Sequence, residues 1–144
     1  MAGDFEKAVQ QWIERAKADS LDIFKDATRT LAEEVRQAVP RDTGNLANSV
    51  VLSPDRNITK GANDEQFPDP RPNDEAVLGN VELGDKIALG VRAAYAARRE
   101  FGYISTSSDG THKNIPGTHA VTATMSKWKG LVRRAAQKRN RAVR

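Results

Sequence analysis

Cysteine is absent, so the chain has no disulfide framework, no thiolate nucleophile and no sulfur ligand for a metal. Aromatic residues make up only 6% of the sequence and hydrophobic residues 38%, which predicts a modest core completed against partners. No run approaches the roughly 18 apolar residues that a membrane span needs. The opening Met1-Ala2-Gly3-Asp4-Phe5-Glu6 lacks the basic-then-apolar order of a signal peptide. These absences predict a chain made and kept in a cytoplasm, or in something assembled there, with no membrane partner. Its 144 residues suit one domain that buries roughly two-thirds of its unfolded surface.

Catalytic sets are missing as well. The two histidines, His112 and His119, have neither cysteines nor a recognised carboxylate spacing beside them, and read as a loop and a helix-start residue. Gly79, Gly84 and Gly90 are turn glycines, because no Gly-Lys-Ser/Thr follows them to cradle a phosphate. Glu33 and Glu34 occupy adjacent helix positions that point apart, which suits a solvated face. Asn57-Ile58-Thr59 matches a glycosylation sequon, but no secretory signal makes it relevant. The expectation is a non-enzyme with no catalytic, cofactor-binding or metal-ligating residues.

What the chain does have is a charge asymmetry behind its net +4. Eight of the 23 bases and none of the 19 acids lie between Lys127 and Arg144. A mildly acidic body therefore carries a basic end: Lys127, Lys129, Arg133, Arg134, Lys138, Arg139, Arg141 and Arg144. Such an end suits an acidic protein surface, nucleic-acid phosphates or simple solubility.

Periodicity supplies the elements. From Asp4 to Val39 the residues Phe5, Val9, Trp12 and Ala16, with Ile13 beside them, and then after a gap Phe24, Ala27, Leu31, Val35 and Ala38, recur at steps of three and four. They predict one long amphipathic helix, capped by Asp4, weakened near Ser20 and closed by Pro40. Ser49-Val50-Val51-Leu52 suits a strand, and so do Ala76-Val77-Leu78 and Lys86 to Val91. The stretch from Pro54 to Asp74 holds four of the six prolines and predicts a long polar loop, about 54–75. Ala94 to Glu100 suits a short helix, Ser105 to Gly117 a second polar loop, and Thr118 to Gln137 a capped final helix. Beyond Lys138 little can be buried, so residues 138–144 are expected to fray as a basic extension of a domain spanning 1–137. The fold class is α+β: a long N-terminal helix and a C-terminal helix packed on a small antiparallel sheet, with long polar loops.

Two short segments carry more information. In Pro40-Arg41-Asp42-Thr43-Gly44-Asn45-Leu46-Ala47-Asn48-Ser49, a helix stop leads into a turn. There Asp42 or Thr43 can bond to the backbone, Gly44 can take positive φ, and Leu46 anchors the next segment. In Tyr95-Ala96-Ala97-Arg98-Arg99-Glu100-Phe101-Gly102, the two aromatics are expected in the core and Gly102 ends the helical turn.

Together these segments resemble the tail-component family of long-tailed bacteriophages. The resemblance rests on Pro40, Asp42, Thr43, Gly44, Leu46 and Ser49, then Tyr95, Ala96, Glu100, Phe101 and Gly102, then Pro116-Gly117 before the last helix. It implies a structural virion protein at the head–tail junction, for tail completion or as a neck component. Copies would form a homo-oligomeric ring, a hexamer, joining the head-side connector to the tail tube around a channel for DNA. Tail terminator and head-closure protein are neighbouring readings. An accessory protein that grips nucleic acid through Lys127 to Arg144 is the alternative from another class. The Pro54–Asp74 loop and the basic end are the expected adapters, removable without loss of the fold.

Overall fold

The computed structural model describes residues 2–41 and 43–143, so Asp42 and Arg144 lie outside the described residues. One long helix, α1 (Ala2–Ala38), runs for about 55 Å at 1.5 Å per residue. It is continuous through Ser20, whose hydroxyl donates to the Ala16 carbonyl within the helix. Asp4 lies in its first turn, not at a cap. After α1 come the single turn α2 (Asn45–Asn48), strand β1 (Val50–Ser53) and helix α3 (Arg71–Gly79). Strand β2 (Ala88–Val91), helix α4 (Ala96–Phe101) and a hairpin, β3 (Gly102–Thr106) and β4 (His112–Pro116), come next. Helices α5 (Ala120–Met125) and α6 (Trp128–Val143) close the chain.

Strands β1 and β2 pair antiparallel, with Val50 opposite Val91 and Leu52 opposite Leu89. The C-terminal half of α1 lies against this ribbon and against α5 and α6. Ala27, Leu31, Val35 and Val39 meet Leu46, Val50, Phe67, Leu131 and Ala135 in the main core. Ala32, Leu52 and Leu78 form a smaller cluster under α3. The architecture is thus α+β, a long N-terminal and a C-terminal helix with antiparallel strands. The strands form two separate two-stranded ribbons, since β3 pairs only with β4.

Several elements differ from the sequence reading. Ala76-Val77-Leu78 is helical: Pro72 near the start of α3 presets the helical φ and Asp74 sits in the favourable first turn. A three-residue apolar run cannot separate helix from strand by periodicity. Ser105 to Gly117 is mostly hairpin. Both faces of that hairpin are exposed, so no apolar alternation advertised it. The final helix is broken between Met125 and Trp128, where the Ser126 hydroxyl donates to the Ala123 carbonyl. Residues 138–143 do not fray but continue α6. Phe5, Val9 and Trp12 belong to no core, and Ala38 is exposed while Ala32 and Arg36 are buried in its place.

Candidate assembly interface

The turn after α1 forms for local reasons. Gly44 adopts φ 80°, a left-handed value that costs glycine nothing. The Thr43 hydroxyl accepts a long bond from the Asn45 amide at 3.4 Å. Leu46 is buried, and the Ser49 hydroxyl donates a hydrogen bond to its carbonyl at 2.7 Å. Asn45 then reaches across the chain. Its side-chain amide donates to the Glu65 carbonyl at 2.9 Å, and its oxygen accepts from the Phe67 amide at 2.8 Å. The turn therefore clamps a segment twenty residues away, a role no local reading of Asn45 suggested.

The second segment is organised by Glu100. Its carboxylate accepts the backbone amides of Val121 and Thr122, each at 2.9 Å, and the Thr122 hydroxyl at 2.7 Å. It thereby caps α5 from a distance. The nominal cap residue, His119, has φ 51° and makes no side-chain cap bond, while the Thr118 hydroxyl is spent on the Arg99 carbonyl. Burial pushes the Glu100 carboxyl upward, but the Thr122 amide and hydroxyl, the Val121 amide and the nearby His119 together hold it below its ordinary value. Tyr95 is partly buried against the core, but Phe101 is 69% exposed and is no anchor. The chain turns outward at Gly102, so the ring before it follows the hairpin into solvent.

Gly102 and Gly117 explain the spacing between the second segment and Pro116-Gly117. Gly102 has φ 85°, and a Cβ there would stand 2.8 Å from the Gly117 nitrogen. A Cβ on Gly117 would collide with the carbonyls of Glu100 and Phe101. The end of α4 and the exit of β4 pass backbone to backbone.

These segments, distant in sequence, line one groove of about 310 Å³. Pro40 and Leu46 come from the first turn, Ala96, Glu100 and Phe101 from the second segment, and Thr118, Val121 and Thr122 from beyond Pro116-Gly117. Beside the groove the hairpin projects, with Phe101, Tyr103 and Ile104 between 40% and 70% exposed. The His119 ring packs edge-on against Phe101 at 6.3 Å, and His112 contacts Thr106 across the hairpin at 3.0 Å.

A buried ionic node was not foreseen. Arg36 and Asp74 are nearly inaccessible and form a close ion pair. Arg36 also donates to the Val50 carbonyl at 2.9 Å and to Glu33 at 2.8 Å, and Asp74 accepts the Leu52 amide at 3.1 Å. Glu33 also holds Arg71 at 3.0 Å, an ion pair partly open to solvent at the edge of the node. One carboxylate oxygen of Glu34 and the Arg36 Nε are buried without a partner among the described residues. The node corrects the loop reading. Residues 54–74 are pinned by Asp74, by buried Phe67 and by Asn45, so removing them would dismantle the core.

The basic end forms one helix face, not a tail. Lys127, Lys129, Arg133, Lys138 and Arg141 are exposed along α6 and its lead-in, and Arg134 is 72% exposed, 4.0 Å from Glu34. Arg139 is spent on α1, with Asp19 at 2.8 Å and Asp22 at 2.9 Å. Among the described residues no group of three or more His, Asp or Glu could hold a metal, and no helix is long and apolar enough to cross a membrane. Comparison with known proteins yields nothing to lean on: no protein-family model, no curated protein and no solved structure matches this chain.

Proposed function

We propose that this chain is a structural subunit of a tailed bacteriophage or prophage, building a ring of six at the head–tail junction that joins the connector to the tail tube. One observation carries the reading. Two of the segments that resemble the tail-component family line a single groove, completed by residues just beyond Pro116-Gly117 and set beside a hairpin exposed on both faces. A ring requires heterologous contacts, one surface of a subunit against a different surface of the next. The groove and the hairpin are two such surfaces, and a two-stranded hairpin is marginal in water until something packs on it. The role is geometric, and chemistry is not needed for it. Assembly would take place in the host cytoplasm and end in the virion, with neck, connector and tail-tube proteins as neighbours.

Light scattering on the eluting protein, followed by negative-stain microscopy with and without tail-tube protein, tests the reading. Closed rings, alone or on addition of tube protein, are expected. A chain that never closes rings and never binds tube or connector protein would sink it. The second reading, an accessory protein for nucleic acid, is favoured by the exposed bases of α6. It predicts DNA binding by the free chain that weakens steeply with salt, with a log–log slope of about −0.9 per phosphate neutralised.

A further inference from the structure

The first half of α1 is an arm with a patterned face. Residues 3–12 are all exposed, Ile13 and Ala16 are only partly covered, and the body begins where Arg139 meets Asp19. Side-chain hydrogen bonds of residues 3–18 stay within the helix among the described residues. Yet the arm is amphipathic. Phe5 is 72% exposed, Trp12 68% and Val9 39%, and with Ala16 they form one stripe at steps of four, three and four. An apolar stripe of this kind, left in water, has a partner of matching shape.

The charges around the stripe say which partner. Asp4, Glu6 and Lys7 occupy the first part of the arm, and Glu14, Arg15 and Lys17 the last. At about 100° per residue Asp4 and Arg15 flank the stripe on one side and Glu6 and Lys17 on the other, while Lys7 and Glu14 point away from it. Reflected about the midpoint between Gln10 and Gln11, each flank faces the same flank of the second copy, so Asp4 lies within two residues of level with Arg15, and Glu6 with Lys17, acid against base. The same reflection sets Phe5 against Ala16 and Val9 against Trp12, a large side chain facing a smaller one each time. In a parallel pair each residue would lie level with its own like, acid beside acid. An antiparallel pair also opposes the two helix dipoles.

We infer that the arm pairs antiparallel with the arm of a second copy, burying the Phe5–Val9–Trp12–Ala16 stripe across a two-fold axis at Gln10–Gln11. Such a contact joins two subunits only and cannot close a ring, so it stands apart from the ring proposed above and belongs to the free protein. Two helices of this length bury less than the ~1,600 Å² of a standard interface, which makes the dimer concentration-dependent.

The experiment uses the full chain. Light scattering and sedimentation across a dilution series should show a dimer that dissociates. Phe5→Ser/Trp12→Ser should leave a monomer whose melting temperature and circular dichroism match the parent, because the stripe touches no core. Orientation is read by cross-linking, since the chain has no cysteine to interfere. A short bifunctional maleimide should join Asp4→Cys to Arg15→Cys in a mixture, and neither variant to itself. In the antiparallel pair the two copies of position 4 lie about 20 Å apart along the axis, thirteen residues at 1.5 Å each, and the two copies of position 15 about 14 Å, nine residues. A wild-type monomer at every concentration overturns the inference. So does a dimer that survives Phe5→Ser/Trp12→Ser, or an Asp4→Cys variant that joins itself. Failure to meet tube or connector protein bears on the ring alone and leaves this contact untouched.

Discussion

Glu100 decides more at the residue scale than its place in a short helix suggests. Its carboxylate is the cap of α5, and with its value held below the ordinary glutamate range it stabilises the fold while ionised. That contribution is complete above the unfolded-state value and is lost as pH falls through the lower folded one. Glu100→Gln should cost about 1–2 kcal/mol at neutral pH, the scale of a lost cap. The cost should shrink in acid, as thermal melts across a pH series would record. Asp74 is buried in an ion pair with Arg36. Removing it strands a buried guanidinium, so Asp74→Ala should cost about 3–5 kcal/mol, whereas Arg36→Met/Asp74→Leu should recover most of that loss in urea titrations. The sequence could disclose Gly44 and Leu46, because a turn is decided within a few residues. It could not disclose Arg36, whose partner lies 38 residues away and whose own position reads as the polar side of a helix.

Elements were legible where periodicity ran long. The 37-residue α1 and the helical C-terminus follow from spacing alone, since each keeps an apolar stripe over many turns. Short elements were not. The α3 helix hides in a proline-rich stretch that resembles a loop, and the hairpin has no buried face to pattern it. The stripe of α1 was itself misleading in one respect: the arm repeats apolar residues at steps of three and four as the second half does, yet only the second half is covered. The candidate interface was legible only as residues, because the groove is made by tertiary contact between the turn after α1 and segments that follow it far along the chain. Two deletions separate pinned from attached elements. Ending the chain after Gln137 removes the part-exposed Arg139 pairs, which solvent screens, and should lower the melting temperature only slightly. Excising residues 54–70 removes Phe67 and the Asn45 clamp, and should abolish the cooperative transition.

For the whole molecule, the notable quantity is how unevenly its apolar surface is spent. The core gathers around the second half of α1, while the arm and the hairpin carry aromatic and aliphatic side chains outward in two separate places. A chain built for a solitary life would gain by covering both. Such a distribution suits a subunit with one contact for the free state and others for an assembled one. The hairpin gives that division a clock. Its strand amides from Tyr103 to Ile115 are bonded only to each other, with solvent on both sides, so deuterium should replace their hydrogens within the earliest labelling times while α1 near Val35 stays dark. Whatever docks there would switch that exchange off, so the ribbon's isotope uptake would time the docking step without any tag.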